Sequence, residues 1–363
     1  MNAHVSETSQ QESWPQFLDQ TCADGFLPPD SLRWAMEQVM LGEASPAQIA
    51  AFLVSLRVRG VTGADLATLV DVMVEHAVAV NVDGVTVDTC GTGGDNMGSA
   101  NISTMAAVVV AACGERVVKH GNRASSSQAG SADVLESLGV AIDLAPENIA
   151  ECVDRASIAF CFAPIFHPAM KYAGPIRREL GIRTVFNVLG PLANPARPAA
   201  QVVGVADLAM APVVAAALAT RGTSALVVRG EDGMDEITPA GFTRVWDCRG
   251  GEVIESLFDV ADLGIQRAPL SALAGGDATR NAEIAAAVLR PNPPTELLAI
   301  RDAVAVNAAA ALAAVAHAKA PTTHRSDLTN ELPGQLARAQ IAMETGAVAD
   351  TLATWISVSK QLR

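Results

Sequence analysis

Apolar residues recur with a helical period from residue 14 to residue 79, and nothing in that stretch alternates as a strand would. PPDSLRWAMEQVMLGE places Pro29 and Asp30 near a predicted helix start and Gly42 at its end. SPAQIAAFLVSLRVRG repeats the plan, with Ser45 as N-cap, Pro46 at the first helical position and Gly60 at the stop. VTGADLATLVDVMVEHAVAV supplies a further helix. The pattern predicts an all-helical unit over residues 13–80.

At VTVDTC (85–90) the period changes to that of a β-branched strand. NISTMAAVVVAACG then reads as a helix ending at Gly114, RVVKH (116–120) as a second strand, SADVLESLG (131–139) as a second helix and IAFCFAP (158–164) as a third strand. AQVVGV (200–205), the helix MAPVVAAALATRG and SALVVRG (224–230) continue the alternation. The stretch 241–257 reads as a hairpin turning at Gly250-Gly251, and LGPLANP (189–195) as a constrained loop after a short helix. The fold class is therefore α/β: a small all-helical domain beside a larger domain, residues 81–363, with a mostly parallel central sheet covered by helices.

Composition narrows what such a fold does. The tract 303–318, AVAVNAAAALAAVAHA, is mostly alanine and contains Asn307 and His317. It falls short of the roughly 20 strongly apolar residues that span a bilayer, so a buried helix is expected. MNAHVSETSQQE does not resemble a signal peptide, and a soluble, cytoplasmic chain without a membrane partner is the expectation. Thirty-nine acidic against 25 basic residues give a formal charge of −14, which disfavours nucleic acid as a partner. Any anionic ligand must then be held by local amides, a few cations and a metal. The six cysteines, Cys22, Cys90, Cys113, Cys152, Cys161 and Cys248, form no C-x-x-C pair and read as buried reduced thiols. Cys90 lies beside a glycine loop, but no histidine is near it in sequence.

In open parallel sheets, ligands bind beyond the carboxyl ends of the strands. GTGGD follows the first predicted strand, KHGNRASSS the second and APIFHP the third, so one cleft can collect all three. GTGGDNMGSANIST (91–104) joins glycines that allow close backbone approach to a helix start with free amides. No Gly-Lys-Ser/Thr follows, which excludes the lysine-bearing phosphate loop, and Asp95 would repel an anion. A tight turn with a Ser/Thr cap explains the same residues without any ligand. In KHGNRASSS (119–127), Lys119 and Arg123 are cations, Asn122 is a bidentate donor and acceptor, and three serines precede the next helix; a solvated loop is the alternative. His120 reads equally as a base or as a residue positioned by its neighbours. In GMDEITPAG (233–241), Asp235 and Glu236 read either as a solvated turn or as Mg²⁺ ligands, since Mg²⁺ keeps its waters and takes one or two carboxylates. Arg177-Arg178 reads either as a clamp for a small carboxylate or as a surface cluster.

Together these runs closely resemble the anthranilate phosphoribosyltransferase family. The resemblance covers nearly the whole chain, through LGEASPAQIAAFLVSLRVRG, DTCGTGGD, NIST, VVKHGNR, GSADVLESLG, FAPIFHPAMK, RRELGIRTVFNVLGPLANPARP, GMDEIT and VNAAAAL. It implies a nucleoside phosphorylase/phosphoribosyltransferase type of fold. It implies Mg²⁺-dependent transfer of the phosphoribosyl group of 5-phosphoribosyl 1-diphosphate to anthranilate, in tryptophan synthesis. It also implies two Mg²⁺ ions, a homodimer through the helical domain, and a segment near 174–192 packing back onto that domain. By resemblance, Gly91, Gly94, Asp95, Ser99, Asn101, Ile102, Ser103 and Thr104 contact the sugar diphosphate, as do Lys119, His120, Gly121, Asn122, Arg123, Ala124, Ser125, Ser126, Ser127 and Ser131. Ser103, Asp235 and Glu236 match the metal positions, with Lys119 and the doublet as catalytic residues. Gly91, Asn122, Pro164, His167, Arg177 and Gly190 match those around anthranilate, with Arg177 facing its carboxylate.

Three departures stand out: NMGSA after Asp95 where the family has Gly-x-x-Thr-Phe, RVRG for a Lys-Gly helix ending, and RPNPPTE (290–296) for a glycine-containing turn. None touches a metal or acceptor position. Two other readings compete, a pyrimidine nucleoside phosphorylase and a non-catalytic nucleic-acid-binding relative. HGNR and the Asp-Glu pair count against the first, the charge and the intact DEIT run against the second.

Overall fold

The computed structural model describes residues 12–23, 27–124, 128–321 and 327–363. Four helices, Trp14–Cys22, Pro29–Leu41, Pro46–Arg59 and Gly63–Glu75, make up the N-terminal helical domain. Their ends follow the chemistry of their sequences. The Ser45 side chain accepts from the Gln48 amide while the Gln48 side chain accepts from the Ser45 amide at 2.8 Å, a reciprocal cap with Pro46 just inside. Thr62 and Asp65 repeat the device. Gly42 closes its helix at φ 75°, a left-handed conformation that glycine adopts without strain. Phe17 and Phe52, both fully buried with ring centroids 5.7 Å apart, hold the first and third helices together.

Seven strands follow: β1 (Thr86–Gly91), β2 (Arg116–Gly121), β3 (Ile158–Phe162), β4 (Ala200–Gly204), β5 (Ser224–Gly230), β6 (Phe242–Asp247) and β7 (Ile254–Asp259). They lie in the order β3-β2-β1-β4-β5-β6-β7. The first five of these are parallel, and β6 and β7 add an antiparallel hairpin at one edge, as 241–257 predicts. The chain leaves β1 in one direction for β2 and β3, then returns to β4 on its other side. The switch point is thus between β1 and β4, and a ligand crevice is expected beyond their carboxyl ends.

The alanine-rich tract is the central helix Leu298–Lys319, packed against the sheet and against the helix Ile102–Ala112. The tract 303–318 falls short of a bilayer span, but the helical stretch it belongs to, Thr295–Lys319, is long and apolar enough to cross a membrane. Of its most apolar window 78% is buried in the core, as a core helix requires. A second core joins the helical domain to the other face of the sheet: Leu66, Leu69 and Val70 share one apolar cluster with Leu218, Val203 and Trp246. Ala173, Phe186, Val188 and Leu189, from the helices Met170–Leu180 and Phe186–Leu192, belong to the same cluster.

Two expectations change. LGPLANP is not all loop: Phe186–Leu192 is helical with Pro191 inside it, because burial of Phe186, Val188, Leu189 and Leu192 outweighs one lost backbone bond. Of the six cysteines, Cys22 is exposed and Cys113 half-buried; the other four are buried. The covering helices Asn148–Ala156, Ala278–Val288, Leu328–Thr345 and Ala347–Gln361 were not marked out by the pattern.

Removal of the reciprocal cap tests the local reading. Ser45→Ala is expected to cost about 1 kcal/mol, lowering the urea midpoint without changing the slope of the transition.

Candidate active site

A cleft of about 340 Å³ opens beyond the carboxyl ends of the central strands, with Gly91, Ser103, Lys119, Asn122, Asp235 and Glu236 among its lining residues. What brings its walls together is missing side chains. A Cβ on Gly204, the last residue of β4, would stand 1.6 Å from the Asp235 carbonyl oxygen. One on Gly91, at the end of β1, would stand 2.5 Å from Asp235 Oδ2, and one on Gly121, at the end of β2, 2.2 Å from Ser131 Oγ. At each strand end another segment lies directly on the backbone, and only glycine leaves room for it.

The acidic doublet is held from three sides. Gly93 N donates to Asp235 Oδ2 at 2.8 Å and Ser103 N donates to Glu236 Oε1 at 3.0 Å. From beneath, Asn307 of the central helix clamps the next peptide: its Oδ1 accepts from Ile237 N at 3.0 Å and its Nδ2 donates to Ile237 O at 3.0 Å. Asp95 faces the same space; its Oδ1 accepts from Met97 N at 3.2 Å, while its Oδ2 is buried without a partner. Asp235 and Glu236 are half-buried by exposed area, yet they stand deep in the cleft floor with protein around them. Burial pushes both carboxyls well above the ordinary range, Asp235 further through Asp95 and Glu236 further through Asp235.

Opposite lies the second strand end. Lys119 is 1% exposed, and its Nζ donates to the Thr89 carbonyl. Below it Asp88 is fully buried, accepting from Asn194 Nδ2 at 2.9 Å, and burial pushes its carboxyl up to about 6 against the opposing pull of Lys119. His120 Nδ1 lies 3.2 Å from Gly190 O, His167 Nε2 lies 2.8 Å from Ala193 O, and the two rings are 5.1 Å apart. Burial pushes His120 down to about 3 and His167 to about 4, so both are neutral at pH 7.

The donor set suits a divalent cation of one kind. Among the described residues no three His, Cys, Asp or Glu side chains are grouped to hold a metal by themselves. None of Asp95, Asp235 and Glu236 forms an ion pair among the described residues, and one of their oxygens is orphaned. Carboxylates of this number set in the cleft floor, with Lys119 only partly offsetting Glu236, fit Mg²⁺, which completes its shell with water and substrate phosphate.

Residues 83–347 match the glycosyl transferase family, a/b domain, and residues 15–77 match its helical bundle domain. The chain is 51% identical to the anthranilate phosphoribosyltransferase of Salinispora arenicola, over 97% of this chain and 98% of that one. It belongs to the anthranilate phosphoribosyltransferase family. The relative from Saccharopolyspora erythraea is 49% identical over 96% and 97% of the two chains. Among solved structures, the anthranilate phosphoribosyltransferase of Thermus thermophilus superposes with a TM-score of 0.85 at 38% identity, covering 94% of this chain and 99% of that one. The Saccharomyces cerevisiae anthranilate phosphoribosyltransferase, solved in complex with PRPP and Mg, gives 0.83 at 25% identity over 96% and 98%.

Against that family frame, the cleft gathers Gly91, Gly94, Asp95, Ser99, Asn101, Ile102, Ser103, Thr104, Lys119, His120, Gly121, Asn122, Arg123, Ala124, Ser131, Asp235 and Glu236. Ser125, Ser126 and Ser127 lie outside the described residues. Arg123 is already paired with Asp133 at 3.0 Å and with Glu136 at 2.8 Å. Four acceptor candidates do not line the cleft: His167 and Gly190 lie against His120, Pro164 is exposed, and Arg177 stacks over Phe186 at 5.4 Å. Cys90 lines the cleft, but its buried thiol is pushed well above its ordinary range and is a poor nucleophile.

Sequence reasoning missed Asn281, Gly276, Arg183 and Asn187, all on the cleft wall. Asn281 donates to Asn101 Oδ1 at 2.8 Å and accepts from Gly276 N at 2.7 Å, tying the glycine loop to a distant segment. The run Gly275-Gly276-Asp277, a smaller echo of GTGGD, is the signal that would have found it.

Asn307→Leu keeps the branched outline of the side chain but strands the Ile237 amide and carbonyl in the core, and is expected to destabilise by about 2–4 kcal/mol in urea unfolding. The histidines make a separate, pH-dependent contribution. Their folded pKa values lie below the unfolded one, so the stability they contribute is complete above about pH 6.5 and is lost as pH falls towards 4. His120→Gln with His167→Gln is expected to lose less stability than the wild type between pH 7 and 4.5. Parallel losses in the two proteins would show that the rings are not buried neutral.

Proposed function

We propose that this chain transfers the 5-phosphoribosyl group of 5-phosphoribosyl 1-diphosphate to the amine of anthranilate, releasing diphosphate in tryptophan synthesis. The observation that carries the reading is the clamped acidic doublet facing two amide-rich loops in one cleft, in a chain of this family. Asp235, Glu236 and Ser103 would hold Mg²⁺, two ions in this reading, and the metal supplies charge neutralisation for the diphosphate.

The chain's own residues account for the rest. The glycine loop and the first amides of the helix Ile102–Ala112 lay donors along the phosphates. Lys119, fixed by burial before any ligand arrives, stabilises negative charge developing on the leaving group. Anthranilate's amine is neutral and nucleophilic at pH 7, so no base is required. The two neutral histidines fit that requirement, since neither places a cation beside the developing ribosyl cation. Arg177, partly desolvated on the stack over Phe186, is our candidate for the anthranilate carboxylate. We place the protein in the cytoplasm as a homodimer. Its contact would be the apolar groove of the helical domain around Leu18, Val54 and Val58, the last 82% exposed.

The test is the fall in anthranilate fluorescence on adding the sugar diphosphate with Mg²⁺. Asp235→Ala with Glu236→Ala is expected to abolish it while leaving the circular dichroism spectrum unchanged. Release of thymine from thymidine and phosphate, without transfer to anthranilate, would overturn the reading.

A further inference from the structure

Arg183 enters the cleft from the helical side of the molecule, on the connection between the helices Met170–Leu180 and Phe186–Leu192. Its main chain is pinned. Arg57 of the helix Pro46–Arg59 donates to the Arg183 carbonyl, Thr184 N donates to Asn187 Oδ1 at 2.8 Å, and Asn187 N donates to Thr184 O at 3.0 Å. Thr184 and Val185, the next two residues, are buried and anchor that turn. The guanidinium, by contrast, is half-buried and makes no ion pair among the described residues.

It is nevertheless placed closely. Arg183 Nη1 lies 2.3 Å from where a Cβ on Gly94 would stand, so the guanidinium rests on the backbone of the glycine loop. Gly94 has φ +77°, and the loop around it follows the same habit at Gly93, Asn96 and Gly98. Asp207, the acid that lines the small adjoining cavity with Arg57 and Arg183, already accepts from Ala209 N at 3.0 Å. An arginine with no ion-pair partner among the described residues, in a chain of charge −14, on the rim of a cleft whose floor is acidic, is arranged for an external anion. Its planar fork suits phosphate oxygens better than a lysine would.

We infer that Arg183 binds the diphosphate end of the substrate, taking oxygens of the pyrophosphoryl group laid along Gly93 and Gly94. The inference rests on the phosphoribosyl-transfer reading. It assigns the leaving group a cation from the helical side, opposite Lys119 on the strand side. Because Arg57 holds the Arg183 carbonyl, the same contact ties the helical domain to the glycine loop whenever diphosphate is bound.

Calorimetric binding of inorganic pyrophosphate with Mg²⁺ to the full chain decides the matter. Arg183→Ala is expected to weaken binding about 10- to 100-fold, the loss of a charge-assisted pair. Arg183→Lys should recover part of it, keeping the charge but not the fork. The KM for the sugar diphosphate should rise by a similar factor while the KM for anthranilate hardly moves, and Arg177→Ala should show the reverse split. Unchanged pyrophosphate affinity in a folded Arg183→Ala protein overturns the assignment alone. No pyrophosphate binding by the wild-type protein overturns both the assignment and the reading beneath it. Should the alanine variant fail to fold, the lysine variant decides: clear weakening supports the assignment and wild-type affinity overturns it.

Discussion

Two carboxylates have to be brought, side by side, onto the ends of parallel strands, and the rest of the site is arranged around that demand. Backbone cannot lie on backbone where a Cβ intervenes. Gly204 admits the main chain of Asp235, and Gly91 admits its side chain. The central helix then has to supply polar partners from beneath, and Asn307, buried among alanines, satisfies both groups of the Ile237 peptide. An alanine-rich helix packs close to the sheet because its side chains are small. That closeness lets one asparagine reach the loop that lies over the ends of the central strands β1 and β4.

Electrostatics turns this geometry into a binding site. Three carboxylates converge with no ion pair among the described residues, and amides of Gly93 and Ser103 are what they use in place of a cation. Burying like charges together is costly, and the raised carboxyl pKa values of the doublet express that cost, Lys119 only partly offsetting it at Glu236. The arrangement is relieved by a ligand that carries positive charge on one side and negative on the other, and a metal diphosphate has that character. The acidic composition and the anionic substrate cease to conflict once the charge is divided this way.

Much of this was legible in the sequence, and what was legible has a common cause. Strand ends, helix caps and glycine loops are local, so GTGGD, KHGNR and the Ser45 cap could be read from adjacent residues. Contacts made across the chain were not. Nothing around Asn307 announces that its amide will meet Ile237, and Asn281 meets Asn101 from 180 positions away. The loop reading of LGPLANP failed for a related reason: proline was weighed by propensity, whereas the apolar face of Phe186–Leu192 answers to a core formed by residues far away. Arg183 was overlooked beside Arg177, because spacing alone does not tell which arginine of RRELGIRT turns towards the cleft.

The division of the chain near residue 80 is a division of sequence pattern more than of packing. One apolar cluster runs from Leu32 and Phe52 through the helix Ala211–Thr220 to Val203 and Trp246, so the helical layer and one face of the sheet share a core. The segment that crosses between them, from Ala173 to Ala193, contributes to that core with its apolar residues and to the cleft with Arg183 and Asn187. A change of packing in the helical layer therefore has a short mechanical route to the glycine loop: through Arg57 to the Arg183 carbonyl, and through the Arg183 side chain to Gly94. A site built from two layers that meet across a crevice can be open without ligand and complete with it, and the residues joining the layers are those whose partners lie on both sides.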